Sequence, residues 1–576
     1  MAPPLAARWS VGAQADRTTR VITLRVRGAA PGSPIGQRRS LNDSTPSRHS
    51  SLCTGSCAIE VAIVSLDSVT QSVDEAVSGF FEPIATWLGE VVFYAVPVGG
   101  TDLPLIVAWL VVAGLVFTGW FGFVQLRKFK LALDVVRGKY DEKGSAGEVN
   151  HFQALTAAVS GTVGLGNIAG VAVAVSIGGP GATFWMILCG LLGMATKFVE
   201  VTLGVKYREV HPDGTVSGGP MHYLPKGLAD RFGKNGKSLG KVLAVLASFM
   251  VLFFGLFGGN LFQVNQSYAQ LVSVTGGEDG AMGSSAGALF FGILIAALVG
   301  IVLLGGIRSI ANVTSRLVPA MAGIYVVACL VVILVNVTAV PDAVATIVEG
   351  AFNPEGVAGG VLGALIIGFK RAAFSNEAGL GSAPIAHSAV KTKHPASEGL
   401  VALLEPFIDT VVICTMTALT IVIANPASWG EARAGEDIGG VTITSDAFET
   451  VLPWFPYVLT VAVLLFAIST VLTWGYYGLK AWTYLFGRSR ASEVTYKVVY
   501  TVFAVAGSLL TLQTLIDLAD AVLFTLAVIN IIGLYLLAPV VKRELASFLE
   551  YVRARKAGEI ADDESGEDQG SVKTTV

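Results

Sequence analysis

The sequence has few charged residues. Asp, Glu, Lys and Arg make up 14% of its 576 residues, against about 25% in an ordinary soluble domain. Hydrophobic residues make up 53%, and the mean hydropathy is +0.65. So few charges exclude a disordered chain and a nucleic-acid-binding protein. The composition indicates an all-α polytopic membrane protein, whose apolar surface faces lipid.

Cysteine is also scarce. Five cysteines are spread over the chain, and Cys189, Cys329 and Cys414 lie in apolar stretches typical of small buried side chains. This pattern excludes a secreted disulfide scaffold. Cys53 and Cys57 have no second Cys/His pair nearby, so a metal site there is not expected.

Two catalytic motifs are missing as well. The chain has no Gly-x-x-x-x-Gly-Lys-[Ser/Thr] loop and no His-Glu-x-x-His helix. These absences argue against ATP-driven transport and against a metalloprotease. We therefore expect no organic cofactor and no enzymatic activity.

Residues 1–60 differ from the rest of the chain. They contain eight Arg, no Lys and few acids, a composition typical of a disordered or non-native leader. Residues 66–92 alternate apolar and acidic residues at helical spacing. That pattern predicts an amphipathic helix lying at the membrane interface.

Apolar stretches long enough to cross about 30 Å of hydrocarbon follow from there. About eleven are predicted, at residues 103–125, 150–177, 180–206, 242–271, 286–304, 316–337, 357–388, 399–424, 455–484, 494–514 and 518–541.

Lys and Arg are distributed unequally between the connections. Those after odd-numbered stretches hold most of them, whereas those after even-numbered stretches hold only Arg433. This alternation is the positive-inside pattern. It predicts a cytoplasmic C-terminus with a tail at 542–576, and an external N-terminus, in the cell membrane.

Two stretches contain runs that disfavour a continuous helix. Four glycines fall between Ser160 and Gly170, and the run from Phe374 to Pro384 carries further glycines and a proline. Opened backbone in a bilayer persists only where it lines a cavity or holds a ligand. Glycines that merely allow close helix packing are the alternative, but it leaves the clustered Asn, Ser and Glu side chains unexplained.

The two runs share the pattern Gly-Leu-Gly-[Asn/Ser], and each begins a set of five stretches. Because five is odd, the second set (357–541) is inverted relative to the first (150–337). Matching Gly-interrupted segments in inverted repeats indicate a transporter binding site. The free N–H groups of one half-helix suit a carboxylate, and the free carbonyls of the other suit an ammonium group or Na+.

The stretches GTVGLGNIAGVA, GGPGATFWM, FKRAAFSNEAGLGSAPIAHS and LTWGYYGLKAW resemble the alanine/glycine:cation symporter family over about residues 70–545. The resemblance implies a LeuT-like 5+5 inverted repeat with one extra N-terminal helix at 103–125. It also implies Na+-coupled uptake of alanine or glycine. The Val163 to Asn167 run is similar to the first core helix of LeuT-type neurotransmitter:sodium symporters.

The resemblance implies roles for single residues. Amides of Leu165 and Gly166, at the break that Gly164 opens, would meet the substrate carboxylate. The Thr162 carbonyl and the break at Phe374, Ser375 and Asn376 would meet its ammonium group. The remaining implied substrate-site residues are Asn167, Thr470, Trp474, Asn260 and Gln263. The implied Na+ ligands are Ser160, Val163, Ser469 and Thr470.

Other intramembrane charges leave alternatives open. Glu377 is either a coupling group or an acceptor for freed N–H groups. Lys197 and Glu200 are interpreted as a structural pair, and a structural role is also favoured for Glu405 and Asp409.

The function that follows is a symporter of small neutral amino acids with Na+. An H+-coupled transporter of the same fold, or an intramembrane enzyme, is the alternative. We expect a monomer or a weak homo-oligomer.

Overall fold

Helices account for most of the chain. The structure is a computed structural model that describes residues 79, 83, 86–142, 144–353, 357–435, 440–510 and 512–559. The predicted leader 1–60 and the end of the predicted tail 542–576 lie outside the described residues. So does most of the predicted interfacial helix 66–92.

The α-helices are numbered in chain order. They are α1 (Leu105–Trp120), α2 (Val124–Arg127), α3 (Phe129–Val136), α4 (His151–Thr162), α5 (Ala169–Ile177), α6 (Ala182–Lys206), α7 (Pro220–Leu256), α8 (Phe262–Val274), α9 (Ser285–Leu303), α10 (Gly306–Val335), α11 (Val340–Phe352), α12 (Gly360–Asn376), α13 (Ala383–His387), α14 (Pro395–Ala402), α15 (Leu404–Pro406), α16 (Thr415–Ala424), α17 (Ala427–Ala434), α18 (Val441–Glu449), α19 (Phe455–Phe486), α20 (Arg490–Gly507) and α21 (Leu512–Lys556).

Two short antiparallel hairpins accompany these helices. Strands β1 (Ala95–Val98) and β2 (Thr101–Pro104) pair just before α1, with Ala95 opposite Pro104. Strands β3 (Glu209–Val210) and β4 (Val216–Ser217) pair between α6 and α7.

The helices support a multi-pass membrane protein. By length and apolarity, seven helices in the described part of the chain are able to span a membrane, or up to eight if the bent pair of α4 and the segment Leu165–Ile177 counts as one. Each of the predicted apolar stretches overlaps one or more of the helices. The count of about eleven spans stays a prediction.

Burial separates a central helix from a peripheral one. In α6, 83% of the apolar stretch is buried, against 33% in α10. Helix α1 packs closely on α6, since a Cβ at Gly114 would lie 2.7 Å from the Leu192 Cβ. Helix α6 is therefore an inner element, whereas α10 presents apolar side chains to its surroundings.

Both predicted helix interruptions are present. After α4 the chain passes through extended Gly164 and a 3-10 turn (Leu165–Asn167) into α5, bending by 58°. Helix α12 ends at Asn376, and the next residue, Glu377, has a φ of 56°. Gly379 and Gly381 follow, with φ angles of 92° and 82° that favour glycine.

The structure contains two π-helical segments that the sequence does not predict. Phe257–Leu261 joins α7 to α8, and Phe407–Cys414 joins α15 to α16. Such wide helical turns are rare in proteins, and the ones that are found often lie at functional sites. The second segment packs against both broken helices.

Candidate functional site

Side chains satisfy the opened backbone of the first break. The Gly164 amide donates to Asn167 Oδ1 at 2.8 Å, and the Leu165 amide donates to Gln263 Oε1 at 3.1 Å. Gln263 also donates from Nε2 to the Gly258 carbonyl in the first π segment at 3.1 Å. Two of the predicted site residues, Asn167 and Gln263, therefore lie against this break.

A hydroxyl cluster joins the end of α4 to the middle of α19. Thr470 Oγ1 donates to the Ser160 carbonyl at 3.0 Å, and Ser160 Oγ donates to the Ser469 carbonyl at 2.8 Å. A Cβ at Gly164 would lie 2.6 Å from Thr470 Oγ1, so glycine permits this approach. The structure thus brings together Ser160, Ser469 and Thr470, and Val163 is buried in the same break.

The second break is organised around the Glu377 carboxylate. Ser382 Oγ donates to Oε2 at 2.6 Å, and Trp474 Nε1 donates to Oε1 at 3.1 Å. Glu377 is only 3% exposed. Trp474 therefore links α19 to the second break by a specific hydrogen bond.

Asp409 connects the two breaks. Its Oδ1 accepts from Asn167 Nδ2 at 2.6 Å, and its Oδ2 accepts from Ser375 Oγ at 2.8 Å and from Thr410 Oγ1 at 2.7 Å. Asn376 Nδ2 donates to Thr410 Oγ1 at 2.9 Å. Asp409 has no exposed surface and belongs to the second π segment. Two predicted site residues, Asn167 and Ser375, thus bind a carboxylate for which the sequence favours a structural role, and Asn376 reaches it through Thr410.

The nearby cations of α12 do not neutralise these carboxylates. Arg371 pairs with Asp520, and Lys370 Nζ lies 3.3 Å from Asp520 Oδ2. Every hydrogen bond that the structure gives to the Glu377 and Asp409 carboxylates comes from an uncharged donor. Buried carboxylates in such surroundings favour a cation or a proton.

Aromatic rings form one wall beside the breaks. The Phe254 ring lies 4.6 Å from Trp474 and 5.8 Å from Phe374, between centroids. Phe374 also meets Phe262 at 5.5 Å, and a Cβ at Gly166 would lie 3.5 Å from Phe374 Cδ1. Phe374 of the second break thus packs on the first break.

Two predicted site residues make their hydrogen bonds elsewhere. Asn260 donates to the Tyr500 carbonyl of α20 at 2.8 Å, and Thr162 Oγ1 donates to the Val159 carbonyl of its own helix at 3.3 Å. The role implied for Thr162 uses its backbone carbonyl, which these side-chain contacts leave untested. The role of Asn260 stays a prediction.

We expect Trp474→Phe to destabilise the fold by about 2 kcal/mol, since hydrogen bonds to charged groups contribute about 1.5–3 kcal/mol. The Glu377 carboxylate would lose one of its two side-chain donors. The measurement is the fraction of protein that stays monodisperse in size-exclusion chromatography after a series of heating steps.

Trp482→Phe is the matched control, because the Trp482 N–H donates to uncharged Ser492 Oγ at 2.9 Å. An equal loss of stability in both variants would contradict the special role of the Glu377 contact.

Comparison with known proteins places these residues in a family. Residues 92–563 match the sodium:alanine symporter family. The sodium/alanine symporter AgcS of Methanococcus maripaludis is 39% identical over 448 residues, 78% of this chain and 94% of that protein. The amino-acid carrier protein AlsT of Bacillus subtilis is 36% identical, over 78% of this chain and 90% of its own length.

A third relative has a different substrate in its name. The probable sodium/glutamine symporter GlnT of Bacillus subtilis is 32% identical, over 79% of this chain and 89% of its own length. Among solved structures, MhsT in complex with L-phenylalanine matches 70% of this chain and 99% of its own, at 14% identity and a TM-score of 0.48. That score is too low to establish a shared fold, so the inverted repeat stays a prediction.

Proposed function

Because the chain belongs to the sodium:alanine symporter family, we propose that it imports a small neutral amino acid together with Na+ by alternating access. The observation that carries this proposal is the position of Asp409. Its buried carboxylate accepts hydrogen bonds from both breaks, through Asn167 and Ser375. A ligand that neutralises Asp409 would therefore act on both broken helices at once.

Charge balance supports two cationic ligands. Glu377 and Asp409 place two negative charges in the low-dielectric interior, with uncharged hydrogen-bond donors around each. Lys197 is a cation near both, but its Nζ is engaged by Glu405 Oε2 at 3.1 Å. Burying an unpaired carboxylate is costly. Na+ and the ammonium group of an amino acid supply two positive charges, and the substrate carboxylate brings one further negative charge that needs its own donors.

The first break offers those donors. We propose that the substrate carboxylate takes over the Leu165 amide, which now donates to Gln263 Oε1 at 3.1 Å, and also meets Gly166. The positive end of the following half-helix favours an anion there. The ammonium group would meet the Thr162 carbonyl and the second break, with Asp409 as the balancing charge.

The sodium ion is assigned to the hydroxyl cluster. We propose Ser160, Val163, Ser469 and Thr470 as its ligands, because their oxygens come from α19 and from the end of α4. Filling this site would hold α19 against the first break, and a ligand shifts a conformational equilibrium by its differential affinity for the two states.

The aromatic wall favours a small substrate. Phe254, Phe374 and Trp474 lie close to one another, so a long side chain would displace a ring. Alanine and glycine are accordingly the proposed substrates. Glutamine is the alternative substrate to test, because the relative GlnT is named a probable sodium/glutamine symporter.

The proposed orientation rests on the alternation of Lys and Arg, with the C-terminus in the cytoplasm and the plasma membrane as the location. We also propose the LeuT-like inverted repeat, on the matching broken helices that begin each set. Proton coupling in place of Na+ coupling is the alternative mechanism.

The test is uptake of radiolabelled L-alanine into proteoliposomes under an imposed Na+, K+ or pH gradient. We expect accumulation with the Na+ gradient alone, blocked by unlabelled glycine and not by leucine. Unlabelled glutamine is the second competitor. Stronger competition by glutamine than by glycine would overturn the small-substrate proposal, and accumulation driven only by a pH gradient would overturn Na+ coupling.

A further inference from the structure

A buried line of titratable side chains runs outside the site described above. It joins the region preceding α4 to α6, α13, α14 and α15. In spatial order its members are Asp141, His151, Glu398, His387, Glu405, Lys197 and Glu200. From His151 to Glu200 every one of these residues is buried. The proposed binding site uses none of them.

Both imidazoles stand between two carboxylates. His387 Nδ1 lies 2.5 Å from Glu398 Oε1, and His387 Nε2 contacts Glu405 Oε1. His151 Nδ1 contacts the other oxygen of Glu398, and His151 Nε2 lies 3.6 Å from Asp141 Oδ1. An imidazole accepts a proton on one nitrogen and releases one from the other, so this alternation suits proton transfer.

The line has one end at the surface and one end at the second break. The Asp141 side chain is 50% exposed. At the other end, Lys197 Nζ lies 3.1 Å from Glu405 Oε2 and 3.9 Å from Glu200 Oε1. Glu200 Oε2 accepts from the Gly381 amide at 3.0 Å, which places this carboxylate directly on the opened backbone.

One buried oxygen at the inner end has no hydrogen-bond partner. This atom is Glu200 Oε1. Buried polar atoms are nearly always satisfied, and an exception calls for an explanation. Lys197 Nζ lies 3.9 Å from it, outside hydrogen-bond distance, so a proton added to this oxygen breaks no hydrogen bond that the structure shows.

Charge balance makes the line sensitive to single protons. Its buried part holds three carboxylates, Lys197 and two imidazoles, so with all three carboxylates ionised it is neutral when both imidazoles are protonated. The other charged groups that face it are Arg208 near Glu398, and Glu377 and Asp409 near Lys197. Loss of one proton leaves a net charge in the interior, which a second proton or a cation must restore.

We propose that this line is a proton relay between the Asp141 surface and the second break, and that each transport cycle moves one proton inward. Glu200 takes a proton on the substrate side and passes one on through Lys197, Glu405, His387, Glu398 and His151 to Asp141. Each N–H or O–H bond formed along the line is matched by one broken. Asp141 then releases the proton to the face that the charge pattern predicts to be cytoplasmic. This inference rests on the proposed transport function.

A purely structural ion network is the competing interpretation. Such a network would also hold α6, α13, α14 and α15 together, but it requires neither an opening at the surface nor an unsatisfied oxygen at the break. Both features are present at Asp141 and Glu200. The distinction is open to experiment, because a structural network moves no protons.

The test uses the full-length protein in proteoliposomes with a trapped pH-sensitive dye, a clamped membrane potential and an inward Na+ gradient. Labelled L-alanine, glycine and glutamine are added in turn, so that the label reports transport and the dye reports protons. We expect the lumen to acidify when a substrate enters. His387→Gln and His151→Gln should abolish the acidification while the solubilised variants still bind labelled substrate.

His394→Gln is the matched control. His394 lies in the same stretch of chain but is not a member of the line. Its ring packs on the Tyr551 ring, with 4.3 Å between the ring centroids. Uptake of label by the wild type without acidification would overturn the relay and leave the proposed function standing. Acidification unaffected by both variants would also overturn it. Absence of label uptake for every substrate would refute the proposed function itself, and the relay with it.

If His387→Gln elutes as an aggregate, Glu398→Gln replaces it, since an amide keeps the shape of the carboxylate but does not relay a proton between two imidazoles. Loss of acidification in this variant, with retained substrate binding, would support the relay equally. Unchanged acidification would overturn it.

Discussion

Asp409→Asn is expected to abolish Na+-driven alanine uptake. Asparagine keeps the shape of the side chain and can still pair with Asn167 and Ser375, but it removes the one negative charge that the two breaks share. Breaking a buried charge pair costs about 3–5 kcal/mol, which corresponds to a loss of more than about 100-fold in affinity for the cationic ligand. The measurement is the initial rate of labelled alanine uptake, together with alanine binding to the solubilised protein.

Asp342→Asn is the control for this substitution. Asp342 is an exposed carboxylate at the start of α11, so its removal changes the net charge equally without touching the breaks. If Asp409→Asn binds and transports alanine at the wild-type level, Asp409 has only a structural role. The charge-balance argument for the proposed function would then be wrong.

Gly164→Ala is expected to produce the second large loss. The added Cβ would lie 2.6 Å from Thr470 Oγ1 and 3.1 Å from Gln263 Oε1. One methyl group would therefore push on the proposed sodium site and on the side chain that holds the Leu165 amide. Overpacking of this kind costs about 1–3 kcal/mol. We expect uptake to fall to background while the purified protein stays folded in size-exclusion chromatography.

Gly170→Ala provides a close comparison within the same broken helix. Gly170 lies in α5, and no atom lies within 4 Å of its added Cβ. Gly170 is the second residue of α5, where alanine gains at most the roughly 1 kcal/mol by which it is favoured over glycine in a helix interior. This variant should therefore be as stable as the wild type or slightly more so, with unchanged uptake. Similar losses in the two variants would show that Gly164 has no special role in the close approach of α4 and α19.

The two expected losses have a common basis. Asp409 binds to the first break through Asn167 and to the second through Ser375, and Gly164 allows α19 to reach the first break. The broken helices are therefore coupled through one carboxylate and one hydroxyl cluster. A change at either point is transmitted to both halves of the proposed site.

Local sequence is enough to locate the two breaks. Glycine-rich runs disfavour a helix interior wherever they occur, and backbone opened in a bilayer must be satisfied by neighbouring groups. The structure contains both interruptions at the predicted places, Gly164 to Asn167 and Glu377 to Gly381. The resemblance in the same runs agrees with the family match of residues 92–563.

Partners distant in sequence are not predictable in the same way. The spacing of Lys197 and Glu200 predicts a local pair, but Lys197 lies closer to Glu405 than to Glu200, at 3.1 Å against 3.9 Å. His387 falls at the end of a predicted span, whereas it is fully buried between Glu398 and Glu405. The only signal available in the sequence is the presence of ionisable residues in apolar stretches, which marks candidates but not partners.

The sequence by itself thus determined the membrane class, the family and the positions of the helix breaks. These properties depend on composition and on short runs, whose physical consequences are local. The tertiary structure alone decided that Asp409 joins the breaks, that Arg371 pairs with Asp520, and that a line of acids and imidazoles leads to Glu200. The reason is that a buried charge selects its partner by distance in space after helices have packed, and helical periodicity says nothing about which helices those are.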